Sequence, residues 1–346
     1  MKNSSELNDE RPLVTFALFA YNQEQYIREA IEGAFSQTYE PLEIILSDDY
    51  SSDRTFKIMQ EMAAAYQGPH TIVVRRSSLN CGIIDHVLSV AKIANGELMC
   101  VAAGDDISLP NRTSAIVKSW HRNPKAVAFY SGCMDIDHNG SVLVLENFPE
   151  PSLRTQRLFL GCKAAIRYSG LVRNIPGYSA CYKTNLLQNL PFTGKKVHNE
   201  DALTTLITNL FGHEIEFINE ILMKRRLSLT SISVRPDAKS YKSILLNEIV
   251  GKNFAKSSVN FLEYLESLDF LKKSNDYEIV MSRLLDNKEL FIVQSQFWDL
   301  SFLERWQQFF KVKKTNTKKY IFPRLWGKYI LYIVKFLQTK YINRTM

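Results

Sequence analysis

The residues most able to do chemistry in this sequence are carboxylates in adjacent pairs. Asp48-Asp49 closes an apolar run and is followed by Ser51, Ser52 and Asp53. A carboxylate at Asp49 can accept a hydrogen bond from a heterocyclic N–H or a ribose hydroxyl. Ser52 and Asp53 are equally suited to capping a helix from Thr55. Asp105-Asp106 follows Val101-Ala102-Ala103-Gly104. Two neighbouring carboxylates repel each other unless a cation lies beside them. Mg2+ or Mn2+ is such a cation, a hard ion that takes oxygen ligands, commonly one or two carboxylates plus phosphates. Bridging a diphosphate, it would offset the charge that builds as a nucleotide departs; a plain surface loop is the competing reading. Glu200-Asp201 follows His198-Asn199 and precedes the apolar run Ala202–Phe211. Acids at a helix start are stabilised by the macrodipole, so capping competes with a role for Asp201 as general base toward an attacking hydroxyl. Lys224-Arg225-Arg226 could hold a diphosphate through charge-assisted contacts, or be a solvated strand end. His198 has no partner motif and reads as structural.

The elements that must position these groups follow from periodicity. Leu13–Ala20 is a nearly continuous apolar run of strand length, as expected for a strand covered on both faces. Tyr26, Ile27, Ala30, Ile31, Ala34 and Phe35 then recur at helical spacing. Strands are expected at 42–46, 71–75 and 98–102, and helices at 55–66 and 83–94. This alternation calls for a parallel sheet with right-handed crossovers, in which ligands bind at the carboxyl ends of the strands. Tyr21-Asn22-Gln23, Ser47-Asp48-Asp49 and Gly104-Asp105-Asp106 all fall at such ends. Further on, 126–131 reads as a strand, and 134–144 as a hairpin whose Asn139-Gly140 supplies positive φ angles. A helix is expected at 200–211 and a strand at 216–222; after about Pro236 the pattern is wholly helical.

The net charge of +7 is unevenly spread. Lys311 to Met346 holds ten Lys or Arg and no acid, so the rest carries 33 basic and 36 acidic side chains. A body without basic excess argues against nucleic-acid binding. Within that tail, Leu325, Tyr329, Ile330, Ile333, Phe336, Leu337 and Tyr341 line one side of a helix, with Arg324, Lys328 and Lys335 away from them. Its longest uncharged run between basic residues is far short of the roughly 20 residues of a spanning helix. A basic amphipathic helix suits an anionic bilayer surface, with packing on the protein body as the alternative. The five cysteines sit singly with no CxxC pair, as expected of free thiols in a reducing cytoplasm. Residues 1–11 are polar, with no apolar stretch behind a basic start, and are expected to form a disordered leader.

With these residues in hand, the chain resembles glycosyltransferase family 2. The resemblance is carried by Phe19-Ala20-Tyr21-Asn22, Gln37-Thr38-Tyr39, Leu42-Glu43-Ile44-Ile45 and Asp48-Asp49-Tyr50-Ser51-Ser52-Asp53-Arg54-Thr55. Asn80-Cys81-Gly82, Asn95-Gly96-Glu97 and Asp105-Asp106 with Pro110 continue it in order, and it covers roughly 11–233. It implies an inverting enzyme on the GT-A fold: an α/β, Rossmann-like, mostly parallel sheet flanked by helices, here with a C-terminal helical extension. It further implies that Tyr21 and Asp49 hold the nucleotide base, Asp105 the ribose or metal shell, and Asp106 a divalent metal (Mg2+ or Mn2+). Asp201 would be the catalytic base, and Arg225 and Arg226 would lie near a loop closing over the diphosphate. Two departures stand out: Ala103 replaces the usual first Asp of the metal motif, and the late Arg-x-His loop lacks its His at Arg226-Leu227-Ser228. The Gln-x-x-Arg-Trp signature of processive synthases is also absent, which favours transfer of single sugars.

The expected organisation is a leader over 1–11, a transferase domain over 12–235, a helical extension over 236–310 and a basic tail over 311–346. The expected partners are a nucleotide-sugar donor such as a UDP-sugar, a glycan or lipid-linked glycan acceptor, and the cytoplasmic face of the inner membrane through the tail. A sugar-1-phosphate nucleotidyltransferase would want a Gly-rich basic loop after the first strand, and a dinucleotide oxidoreductase a GxGxxG; Ala20-Tyr21-Asn22-Gln23 offers neither. An inactive membrane-bound scaffold is the alternative from outside the enzymes.

Overall fold

A computed structural model describes residues 11–147, 175–197, 200–227, 241–285 and 288–326. They fall into two compact units: 11–147, 175–196 and 200–227 in the first, Val197 and everything from 241 in the second.

The first unit opens with β1 (Val14–Ala20), α1 (Ile27–Phe35), β2 (Leu42–Asp48), α2 (Thr55–Ala65), β3 (Thr71–Arg76), α3 (Ile83–Ala91) and β4 (Leu98–Ala103). Then come β5 (Ile107–Ser108), α4 (Arg112–Arg122), β6 (Ala128–Ile136), β7 (Val142–Asn147), β8 (Cys181–Lys183), α5 (Asn185–Gln188), α6 (Glu200–Leu210) and β9 (Ile215–Arg226). The strands form one sheet in the order β3-β2-β1-β4-β8-β6-β9-β5, with β7 beside β6. From β3 to β4 every pairing is parallel. Beyond β4 the sheet is mixed: β8 is antiparallel to β4 and β6, β6 is parallel to β9, and β5 runs against β9.

Central strands are buried on both faces, which is why they read as unbroken apolar runs. Phe16, Leu18, Ile44, Leu46, Leu98 and Cys100 meet Ile27, Ile31 and Met59 of the flanking helices in one core. At the sheet edge β3 alternates between partial and full exposure.

The 134–144 hairpin forms, but its turn is built differently from the expectation. Gly140 alone takes a positive φ, at 86°; Asn139 does not. The Asp137 carboxylate does the folding work instead, its Oδ1 accepting the N–H groups of Asn139 at 2.8 Å and Ser141 at 2.9 Å. An Asp bonding to backbone two residues on mimics a backbone turn.

The second unit is helical: α7 (Tyr241–Ser267), α8 (Tyr277–Leu285), α9 (Lys288–Gln296), α10 (Phe302–Lys311) and α11 (Thr315–Ile321). Val293, Phe297, Val312, Ile321 and Leu325 share a small core. Through residue 326 the expected tail therefore packs on its own unit. Arg324 pairs with Glu248 through two bonds of 3.0 and 2.9 Å. Tyr329–Tyr341 of the expected amphipathic face, the leader over 1–10, Cys162 and His198 lie outside the described residues. Cys81, Cys100, Cys133 and Cys181 are thiols. No described helix is long and apolar enough to cross a membrane.

Candidate active site

The polar clusters lie toward the carboxyl ends of the parallel strands, and the parallel half of the sheet holds the first. After β1 the chain turns through Asn22, whose φ of 52° is the left-handed conformation that Asn tolerates. The loop is stitched to the one after β2. Asn22 N–H donates to Ser51 Oγ at 2.8 Å, Gln23 N–H to Thr55 Oγ1 at 2.8 Å, and Glu24 N–H to Asp53 Oδ2 at 3.0 Å. Asp53 also accepts Thr55 N–H at 2.9 Å. Ser52 N–H donates to Asn22 Oδ1 at 2.8 Å, so Ser51, Ser52 and Asp53 work as fasteners, and Tyr21 is left 48% exposed.

Asp48 and Asp49 point apart, as neighbours at a strand end must. Asp48 is sealed in, accepting Ser51 N–H and an ion pair from Arg76 Nε, each at 3.0 Å. Asp49 turns toward the loop before α3. It accepts Cys81 N–H at 3.0 Å, the Cys81 thiol at 3.1 Å and Gly82 N–H at 3.1 Å. A carboxylate has about four acceptor positions, so this clamp leaves about one.

Tyr50 takes φ 66°, a conformation costing roughly 1–2 kcal/mol for a residue with a Cβ. Its ring lies over the Arg76 guanidinium at 4.8 Å, and it is 51% exposed beside Asp49. Sequence reasoning passed over both Tyr50 and Arg76; the only signal was an aromatic in a turn otherwise built of Asp and Ser.

Gly104 follows β4 where only a glycine fits. A Cβ there would collide with Gln23 Oε1, and would meet Ala20 Cβ at 2.8 Å and Ile27 Cδ1 at 3.0 Å. Asp105, half-buried, is bonded by the Gln23 side chain, whose Oε1 has no partner among the described residues. Asp106 is buried and accepts Arg226 N–H at 2.7 Å through Oδ1. Burial pushes both carboxyls above the usual range, Asp106 further because Asp105 stands beside it. Among the described residues, no group of three or more His, Cys, Asp or Glu is placed to hold a metal ion. Two carboxylates with an unpartnered amide oxygen nearby are all-oxygen donors, the set that Mg2+ or Mn2+ takes when phosphates complete the shell.

The second cluster belongs to the mixed half. Cys100 pairs with Cys181, and Val101 N–H donates to Ala180 O at 2.9 Å. The short 3-10 turn Gly177–Ser179 just before β8 thus lies at the carboxyl end of β4. Glu200 packs its Oε1 directly on Gly177, with Asp201 Cβ 3.7 Å from where a Gly177 Cβ would stand. Thr204 anchors this first turn of α6, donating to the Tyr182 hydroxyl at 3.1 Å. Glu200 and Asp201 therefore rise from the same rim as Gly104–Asp106. Burial, and then the neighbouring Asp201 charge, push Glu200 up to about 8. Asp201 Oδ1 accepts Ala202 N–H at 2.7 Å.

Arg225 and Arg226 are committed inside the unit. Arg225 forms a forked pair with Asp135, both bonds 2.8 Å, and covers the Tyr178 ring at 4.8 Å. Arg226 is 2% exposed. It donates to Asp105 O at 3.0 Å, Asp137 O at 3.1 Å, His138 O at 3.2 Å and Glu29 Oε2 at 2.9 Å, with its guanidinium over Tyr26. It ties β9, the hairpin, α1 and the Asp105 loop together.

Residues 15–171 match the family described as Glycosyl transferase family 2. An uncharacterized protein of Mycobacterium tuberculosis is 35% identical over 124 residues, 35% of each chain. An uncharacterized glycosyltransferase of Methanocaldococcus jannaschii is 24% identical over 222 residues, 63% of this chain and 72% of that one. The chain thus spans about a third of the first curated relatives' length. Among solved structures, a mannosyltransferase of Pyrobaculum calidifontis in complex with GDP-Man and Mn2+ superposes with a TM-score of 0.51 at 14% identity, covering 96% of this chain and 89% of that one. At that identity the likeness is one of fold.

Proposed function

We propose, from the match of residues 15–171 to glycosyl transferase family 2, that the chain transfers a sugar from a nucleotide-sugar donor, such as a UDP-sugar, to a glycan or lipid-linked glycan. The observation that carries the reading is the shared rim, with Tyr21, Asp49 and Asp105 on one side and the Glu200–Asp201 helix start on the other. The nucleotide base lies on the open Tyr21 ring, and Asp49 spends its remaining acceptor position on a base N–H. Asp105 and Asp106 would hold a divalent cation, Mg2+ or Mn2+, whose chemistry is to neutralise the departing diphosphate. Asp105 offers the more open carboxylate, Asp106 being half spent on Arg226. Asp201 takes the proton of the acceptor hydroxyl as it attacks the anomeric carbon from the face opposite the leaving group, which inverts the configuration. Direct contact of Arg225 or Arg226 with the diphosphate would require the Asp135 or Glu29 pair to open, so both are assigned to positioning.

The acid-free stretch from Lys311 onward supports a peripheral site of action on the cytoplasmic membrane face, where a lipid-linked acceptor would be met. Incubation with a panel of nucleotide sugars and Mn2+ should release nucleoside diphosphate from at least one of them. A panel that stays intact with and without Mn2+, and with membrane glycolipid extract added, would contradict the reading.

A further inference from the structure

The helical unit carries an exposed aromatic surface to which the proposed sugar transfer assigns no role. α10 and the turn after α11 gather Phe302, Trp306, Phe309, Phe310, Phe322 and Trp326 into one continuous group. Trp306 is at its centre, 5.5 Å from Trp326, 6.0 Å from Phe310 and 6.2 Å from Phe309 between ring centroids. Phe322 closes the group at 5.6 Å from Trp326. Four of these rings are open to solvent, Phe310 73% exposed, Phe302 59%, Phe322 55% and Trp326 48%, while Trp306 and Phe309 are half-buried against the small core of the unit. No α10 residue is buried. The helix is fixed at its start by a capping box, in which Ser301 and Glu304 each bond the other's backbone N–H. Single exposed apolar residues are ordinary, but a contiguous aromatic group is the mark of an interaction surface.

Charge decides the occupant. Lys311, Lys313, Lys314 and Lys319 are exposed in the same segments of chain; the one acid of α10, Glu304, is engaged in the Ser301 cap, and no acid follows Lys311 in the chain. A two-fold contact with a second copy would set the same lysines against one another. An anionic bilayer meets both features at once, since aromatic rings favour the headgroup boundary and lysines favour its negative potential. We propose that the aromatic face of α10, with Phe322 and Trp326, is an interfacial anchor for an anionic phospholipid bilayer. This deepens the peripheral-membrane part of the reading above, moving the anchor into 302–326, and stands whether or not sugar transfer does.

The test is co-sedimentation of the full chain with vesicles. Phosphatidylglycerol–phosphatidylcholine vesicles should carry it down, less so as salt is raised, and pure phosphatidylcholine far less. The Phe310→Ser, Trp326→Ser double variant should bind about tenfold or more weakly, as loss of two large apolar anchors implies, while keeping its thermal midpoint. Lys311→Gln with Lys319→Gln should reduce the preference for anionic vesicles. Unchanged binding by the aromatic variant, with loss only on deleting 327–346, would overturn this anchor but leave the peripheral reading intact. A dimer that the aromatic variant dissociates would also overturn it. Wild-type protein that binds no vesicle would sink both membrane statements, and nucleotide-sugar turnover would be untouched.

Discussion

Asp49, on the parallel half of the sheet, and the Glu200–Asp201 pair, beyond its mixed half, are acids presented at the same rim in opposite surroundings. Asp49 is clamped by two backbone N–H groups and a thiol from one short loop. Glu200 instead lies packed on the Gly177 backbone beside a second acid, and its proton is held up to about pH 8. A clamped carboxylate makes a fixed acceptor, suited to reading a ligand. Two crowded acids, one of them kept neutral, suit the proton-taking role proposed for Asp201. Environments that push neighbouring acids apart are how one site assigns binding and acid–base roles to one residue type.

The comparison breaks most visibly at Asp201. Asp201→Asn should lower transfer about 10²–10⁴-fold, the usual contribution of a general base, and leave donor affinity by calorimetry unchanged. Equal losses in both would erase the distinction between the two halves. Asp49→Asn should do the reverse. Placing an amide NH2 where a carboxylate oxygen accepts N–H bonds should cost about 1.5–3 kcal/mol of stability in urea unfolding, and donor affinity should fall more than turnover at saturation.

Gly104→Ala presses on Gln23, Ala20 and Ile27. Such overpacking should cost about 1–3 kcal/mol and weaken donor binding, with the pH response of Glu200 intact. The smallest effect is the most diagnostic of the second half. Because Glu200 is raised from 4.5 to about 8 in the fold, the folded state holds a proton that the unfolded chain releases. That stabilisation is complete below pH 4.5 and lost as pH rises through about 8. Thermal midpoints of the wild type should therefore decline over that window more than those of Glu200→Gln; parallel curves would remove the neutral acid from the account.

The parallel half was legible because its strands are buried on both faces and its helices repeat at a clean period, so Asp49 and Gly104–Asp106 could be assigned to strand ends by pattern alone. The mixed half was not. β5 spans Ile107–Ser108 and β8 spans Cys181–Lys183, segments too short to carry a period, and it is β8 that brings Gly177 under Glu200. Lys224-Arg225-Arg226 illustrates a second limit. A basic triplet reads as solvated, yet the β6–β9 register sets Asp135 beside Arg225 and Ile136 beside Arg226, which no local pattern reveals. The Asn139-Gly140 hairpin forms with Gly140 at positive φ, and it departs from expectation only at Asn139, because Asp137 supplies a stronger local signal.

Mn2+-dependent thermal stabilisation by nucleotide sugars, compared across three proteins, tests the central claim most directly. The account predicts stabilisation of the wild type and of Asp201→Asn by the same donor, and none for Asp105→Asn. If Asp105→Asn is stabilised like the wild type while Asp201→Asn is not, the donor does not sit where the two halves of the sheet meet as described.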